Sequence, residues 1–323
     1  MRTIATGFAL TIWLAFGAQR IAAQAPAYPP GTGPSVLIDA AHHNVDWPGD
    51  RASLTKWLQS DGYVVRELAR PFNRELLAGI QIILIKNALS EKNALSERND
   101  IRRVRPTDPE LAEAWKLPTP SAFSQEEIAV LHDWVVRGGA LLLVFDHMPM
   151  SGAAQELAAA FGIEISNGFA VEALGLRGLD ARSVSRAGSV TFRRGDLTLA
   201  DDPVTNGRGP AERVDSVVTS MGSAFRLPPE ARSLLTLRPS FASLLPNVAW
   251  KFSEATPRKP IGGWSQGGVL RAGRGRLAVF GDMAILATPG IWASRGDQAP
   301  VGQNPRLLLN VLHWLSGLLD QRE

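Results

Sequence analysis

The chain of 323 residues contains no cysteine. That single absence removes disulfides, thiolate zinc sites, iron–sulfur ligation, a lipoprotein anchor and every cysteine nucleophile. Lysine is scarce too, with 6 residues against 28 arginines, and the formal charge is only +3. The densest basic stretch, Arg98, Arg102, Arg103 and Arg105, lacks the interleaved aromatics that stack bases, which argues against a nucleic-acid partner. Neither a Gly-Lys-Ser/Thr phosphate loop nor a His-x-x-x-His spacing occurs. Collagen, coiled-coil and low-complexity patterns are also missing. With 45% hydrophobic and 20% charged residues the composition is that of an ordinary globular protein. A chain of this length buries roughly 75% of its unfolded surface, enough for one α/β domain without staples.

No apolar run reaches the roughly 20 residues that a membrane span needs. The run from Ile4 to Gly17 follows Arg2 and precedes Ala23-Gln24-Ala25, the small-x-small pattern of a signal-peptidase site. Residues 1–25 are therefore expected to be a signal peptide cleaved after Ala25. The mature protein is expected to be periplasmic or secreted from a bacterium, with no stable membrane span. Cleavage removes Arg2 and Arg20 and lowers the net charge from +3 to +1.

What is present reads as a doubly wound sheet. After a Pro/Gly-rich leader over 26–34, Val36-Leu37-Ile38 ends in Asp39 like a strand buried on both faces. Leu54, Trp57 and Leu58 lie at helical spacing, Tyr63-Val64-Val65 and Ile80 to Ile85 read as strands, and the alternation is βαβ. Residues 87–120 are an excursion holding a hexad duplication, Asn87 to Lys92 and Asn93 to Arg98, expected in an exposed loop or short helix. Ser124 with Glu127 three residues on is a capping box that opens a helix over 125–137. Ala140 to Phe145 follows as the most apolar strand, and Ser151 is expected to cap a helix running to Phe161. The stretch from about 166 to 275 reads as a β-rich insertion. The regular pattern resumes with Arg276 to Phe280 and a final helix opened by Asn304 and Pro305. The fold class is thus α/β, a flavodoxin-like doubly wound parallel sheet with a β-rich insertion, and 35–323 is one domain.

Several segments together carry a family resemblance. They are Ile38-Asp39-Ala40-Ala41-His42-His43-Asn44, Phe123 to Glu127 through Trp134 to Gly139, Asp146-His147-Met148-Pro149, Gly152-Ala153-Ala154, Ser223-Ala224-Phe225, and Gln303-Asn304 through His313-Trp314-Leu315. On these the chain resembles the class I glutamine-amidotransferase-like superfamily, in particular a secreted bacterial branch of unknown function that lacks the catalytic cysteine. The resemblance implies a flavodoxin-like sheet and places the superfamily's nucleophile elbow near Asp146 and His147. Without cysteine, glutaminase chemistry is excluded.

In an open parallel sheet, ligands bind beyond the carboxyl ends of the strands. Asp39, His42, His43 and Asn44 follow the first strand, Asn87 the third, Asp146 and His147 the fourth, and Asp282 the last. This set is the expected ligand site, for a polar small molecule or glycan. Asp146 and His147 are the catalytic candidates, and no cofactor is assigned beyond the divalent metal that this donor set could take. The enzymatic alternative is a metal-assisted hydrolase in which His42, Asp146 and His147 hold a divalent metal. A third reading is an envelope accessory or scaffold protein docking through the β-rich insertion. Gly263-Trp264-Ser265-Gln266-Gly267 matches the G-x-S-x-G elbow, with Asp282 or Asp297 and His313 in hydrolase order. Ser265 leads into a strand rather than a helix, so the triad is set aside. Trp47, Trp264 and Trp292 lie in loops where an indole could stack on a sugar ring.

Overall fold

The computed structural model describes residues 25–46, 50–95, 109–289 and 302–320. All of the expected signal peptide but Ala25 lies outside these residues, as do Trp47, the Arg98–Arg105 cluster, Trp292 and Asp297.

The first half of the chain supplies β1 (Ser35–Asp39), β2 (Val64–Leu68), β3 (Ile82–Lys86) and β4 (Ala140–Val144). The stretch after them supplies β5 (Glu164–Ile165), β6 (Phe169–Glu172), β7 (Ser189–Arg193), β8 (Ser216–Ser220) and β9 (Phe225–Arg226). The rest are β10 (Arg232–Thr236), β11 (Phe241–Leu244), β12 (Arg258–Pro260), β13 (Ser265–Ala272) and β14 (Gly275–Phe280). Five strands pair in parallel in the order β2-β1-β3-β4-β14. Counting β14 as the fifth, this is the 2-1-3-4-5 order of the flavodoxin-like sheet, so the expected fold class is found.

The continuous apolar runs explain why β3 and β4 are central. Alternate residues face opposite sides. Ile83, Ile85, Leu141 and Leu143 join one core with Ile128, Leu131 and Val135 of helix Gln125–Val136. Ile82, Leu84, Leu142 and Val144 join the other, with Leu54, Leu58 and the Leu308, Val311 and Leu312 stripe of helix Asn304–Leu315. Full burial of each such side chain contributes about 1.5–3 kcal/mol. The capping box is present: Ser124 Oγ accepts from the Glu127 N–H, and the Glu127 carboxylate accepts from the Ser124 N–H.

Three local expectations change. The helix expected from Ser151 to Phe161 is two short helices, Met150–Ala153 and Gln155–Ala159. Pro149, which has no N–H to satisfy, stands at the start, and the Ser151 hydroxyl donates to Asn167 Oδ1 instead of capping. The hexad duplication is not simply exposed. Its matching residues Asn87 and Asn93, and likewise Leu89 and Leu95, are buried, so each copy sends the same amide and the same leucine inward. The β-rich stretch is partly built into the central sheet. β13 pairs antiparallel with β14, and β10, β9 and β5 extend that edge, while β12-β11-β6 and β7-β8 form separate small sheets. Gly273-Arg274 closes the β13–β14 hairpin with Gly273 at φ 57°, a conformation that suits glycine. Among the described residues, no helix is long and apolar enough to cross a membrane.

Candidate functional site

The carboxyl ends of the parallel strands carry two polar clusters. The first surrounds His42. Its Nδ1 lies 2.8 Å from Asp39 Oδ1 and its Nε2 lies 2.9 Å from Glu127 Oε1. The ring stacks on Phe72 at 5.2 Å between centroids and leans on Phe123 at 4.7 Å. Asp39 also accepts from the Ala41 N–H and from Asn44 Nδ2, and Glu127 Oε1 also accepts from the Phe72 N–H. Burial alone would lower the His42 pKa, but the two carboxylates outweigh it and hold the imidazolium at about 9. Burial pushes Glu127 upward, and the His42 contact with the Ser124 and Phe72 N–H groups reverses this, bringing it to about 2. The two shifts describe one interaction. Asp39, His42 and Glu127 form a paired ion cluster that pins the end of β1 to the first turn of helix Gln125–Val136.

The second cluster spans β3, β4 and β14. The Asn87 N–H donates to the Val144 carbonyl and the Phe145 N–H to the Phe280 carbonyl, which brings Asn87, Asp146 and Asp282 to successive strand ends. Asp282 Oδ2 accepts from the Ser220 and Gly222 N–H groups, and its Oδ1 from Ala284. Gly222 is required here, because a Cβ would stand 2.0 Å from the Gly281 carbonyl oxygen and 2.7 Å from Asp282 Cβ. Asp146 accepts the His147 N–H at 2.9 Å, and the Ser223 hydroxyl donates to the Asp146 carbonyl. Burial pushes both carboxyls upward, and the two repel, so that the pair does not readily carry two charges. Burial lowers the pKa of His147 and favours the neutral ring. Its Nδ1 lies 2.7 Å from the Met148 carbonyl oxygen, so Nδ1 carries the proton, and the ring stacks on Phe169 and meets Trp250 edge-on. Asn87 is fully buried with φ 41°, a left-handed conformation asparagine tolerates. Its Nδ2 lies 3.1 Å from Met283 Sδ, while its Oδ1 accepts no hydrogen bond among the described residues.

The eight expected site residues therefore divide. Asp39, His42 and Asn44 belong to the first cluster, where Asn44 also donates to the Lys86 carbonyl. Asn87, Asp146, His147 and Asp282 belong to the second. His43 is exposed at φ 42°. The metal trio His42, Asp146 and His147 is not gathered, since both nitrogens of His42 face other carboxylates. Among the described residues, no group of three or more His, Asp or Glu side chains is placed to hold an ion.

Other sequence patterns resolve as packing. Ser265 starts the antiparallel strand β13 and donates to Ser233 Oγ, while His313 Nε2 lies 2.7 Å from Asp61 Oδ2. Trp264 is buried with Lys259 4.3 Å and Arg226 4.7 Å from its ring centroid, so sugar stacking has no open face there. Sequence reasoning misses two partners. Glu127 is legible only as a capping residue, with nothing to tie it to His42. Lys86 ends the apolar strand β3, is buried, and pairs with Asp46, which Arg51 also grips. Burial draws the Lys86 ammonium down to about 7. A lone lysine closing the Ile82–Ile85 run is the only signal of it in the sequence.

No protein-family model matches this chain, and no curated protein does. Its fold is similar to that of the mmIFT52 N-terminal domain. The two are 14% identical over 87% of this chain and 97% of that one, at a TM-score of 0.51. A GMP synthase-like protein from Thermoplasma acidophilum is 10% identical over 90% of this chain and 98% of that one, with a TM-score of 0.41. A ThuA-like protein from Parabacteroides merdae is 13% identical over 88% and 90%, with a TM-score of 0.39. At such identities the likeness is one of fold.

Proposed function

We propose that the chain is a secreted amidotransferase-like α/β protein that binds a polar small molecule or glycan at the carboxyl edge of its sheet. The contacts assigned to the ligand are those of Asn87, Asp146 and His147, with Asp282 behind them and the His42 cluster as scaffold. The observation that carries this reading is the buried Asn87 carbonyl, which has no donor among the described residues, beside two carboxyls at adjacent strand ends. Native structures pair their buried polar groups, and an unpaired one costs about 1–3 kcal/mol. Such a group at the sheet edge where open α/β folds bind ligands favours a binding role. The leader pattern at Arg2 and Ala23-Gln24-Ala25 supports secretion.

The test is a thermal-unfolding titration against neutral mono- and disaccharides and other polyols. A ligand bound only by the native state raises the midpoint with its concentration. At least one member of the panel is expected to do so for the wild type and not for Asp146→Ala. If none shifts the wild type, the binding reading falls.

A further inference from the structure

The two carboxyls at the ends of β4 and β14 are not equivalent. Asp282 is 2% exposed, and its oxygens accept three backbone N–H bonds, at 2.6 Å from Ser220, 3.1 Å from Gly222 and 2.7 Å from Ala284. Each donor favours the ionised form and occupies a lone pair that a proton would need. The Asp146 side chain accepts one such bond, from His147. Two neighbouring desolvated carboxyls do not both ionise readily. The donor count therefore puts the charge on Asp282 and the proton on Asp146. The ionisable groups beside Asp146 are His147, on its own segment, and Asp282, just past the paired end of the neighbouring β14; the two carboxyls repel, so ionising either one raises the pKa of the other. Asn87 and Ser223, which approach from β3 and from the loop before β9, are neutral.

We propose that Asp146 is a neutral carboxylic acid at neutral pH, with Asp282 as the positioning residue that keeps it so. The edge site then takes an uncharged, oxygen-rich ligand, one that accepts a hydrogen bond from Asp146 and donates one to Asn87 Oδ1. This rests on the reading of the edge as a polar-ligand site. Asn87 supplies the independent support: it is fully buried, its carboxamide lies against Met283 beside Asp282, and its carbonyl has no donor among the described residues. A sugar hydroxyl and ether oxygen have this chemistry, as does any polyol. A divalent cation does not, because it needs carboxylate lone pairs that Asp282 has already given to the backbone.

Asp146→Asn is the deciding variant, since it keeps the shape and still offers a donor. A carboxyl whose folded-state pKa lies above its unfolded value weakens the fold as pH rises from about 4 toward the folded value. The asparagine variant escapes that loss. Its thermal midpoint should match the wild type to within about a degree at pH 4 and exceed it by several degrees at pH 7.5. The Asp146 carboxyl carbon in a ¹³C spectrum of the wild type should show the protonated form at pH 7.5. The variant should also hold the saccharide found by titration within about threefold of wild type, whereas Asp146→Ala loses it. A stability difference that does not change with pH, an ionised Asp146 signal at pH 7.5, or asparagine losing the saccharide as fully as alanine would each overturn the proposal. So would stabilisation by Ca²⁺ or Mg²⁺ that the asparagine variant abolishes. If no saccharide binds the wild type, the polar-ligand reading fails, while the pH and carbon signals still decide where the proton sits.

Discussion

Two acidic clusters share one edge of the sheet, and their contrast separates support from function. Around His42 the charges are matched: Asp39 and Glu127 bracket an imidazolium and backbone N–H groups take further lone pairs, although Asn44 Oδ1 accepts no hydrogen bond among the described residues. Around Asp146 the match is poor. Two carboxyls stand at adjacent strand ends with no counter-cation among the described residues, and the neighbouring Asn87 carbonyl has no donor there. Polar residues at strand ends are thus not one class. A cluster whose charges are paired holds the structure, and carboxyls without a counter-charge beside it are where a ligand can contribute binding energy.

Substitutions and pH can break this contrast. The largest effect is expected from His42→Ala, which leaves Asp39 and Glu127 buried without their cation. Removing one partner of a buried ion cluster costs roughly 3–5 kcal/mol, and the urea midpoint should fall accordingly. A loss no larger than that of a surface substitution would erase the distinction between the clusters. An alkaline titration comes next. His42 has a folded pKa of about 9, raised from 6.5. Its contribution is fully present below the unfolded value and lost as pH rises through about 9, a fall of roughly 3 kcal/mol. Unfolding of wild type and of His42→Gln between pH 6 and pH 10 should show this slope in the wild type alone. The smallest effect is expected from Ser124→Ala. It removes the cap while leaving the His42–Glu127 contact, and should cost about 1 kcal/mol. A loss as large as that of His42→Ala would mean that the capping box, not the ion cluster, holds this corner together.

Local and periodic features are legible in the sequence. The continuous apolar runs of β1, β3 and β4, the capping box of helix Gln125–Val136 and the stripe of helix Asn304–Leu315 are short-range patterns, and all are found. The helix expected after Ser151 divides because tertiary contacts at Pro149 and Asn167 override a cap that local spacing suggests. The hexad reads as surface because polar composition does not reveal that Asn87, Leu89, Asn93 and Leu95 turn inward.

At the sheet edge, strand pattern is enough to say which residues stand at the strand ends, because a parallel strand delivers its last residue to one side whatever surrounds it. Asp39, Asn87 and Asp146 follow from that rule. Their partners are a matter of the folded chain. His42 meets Glu127 at a sequence separation of 85, and Asp282 reaches the strand end next to that of Asp146 because β14 returns from the end of a long antiparallel excursion to lie beside β4. Pairing, and with it charge, depends on contacts between segments far apart along the chain. No spacing within one segment encodes them.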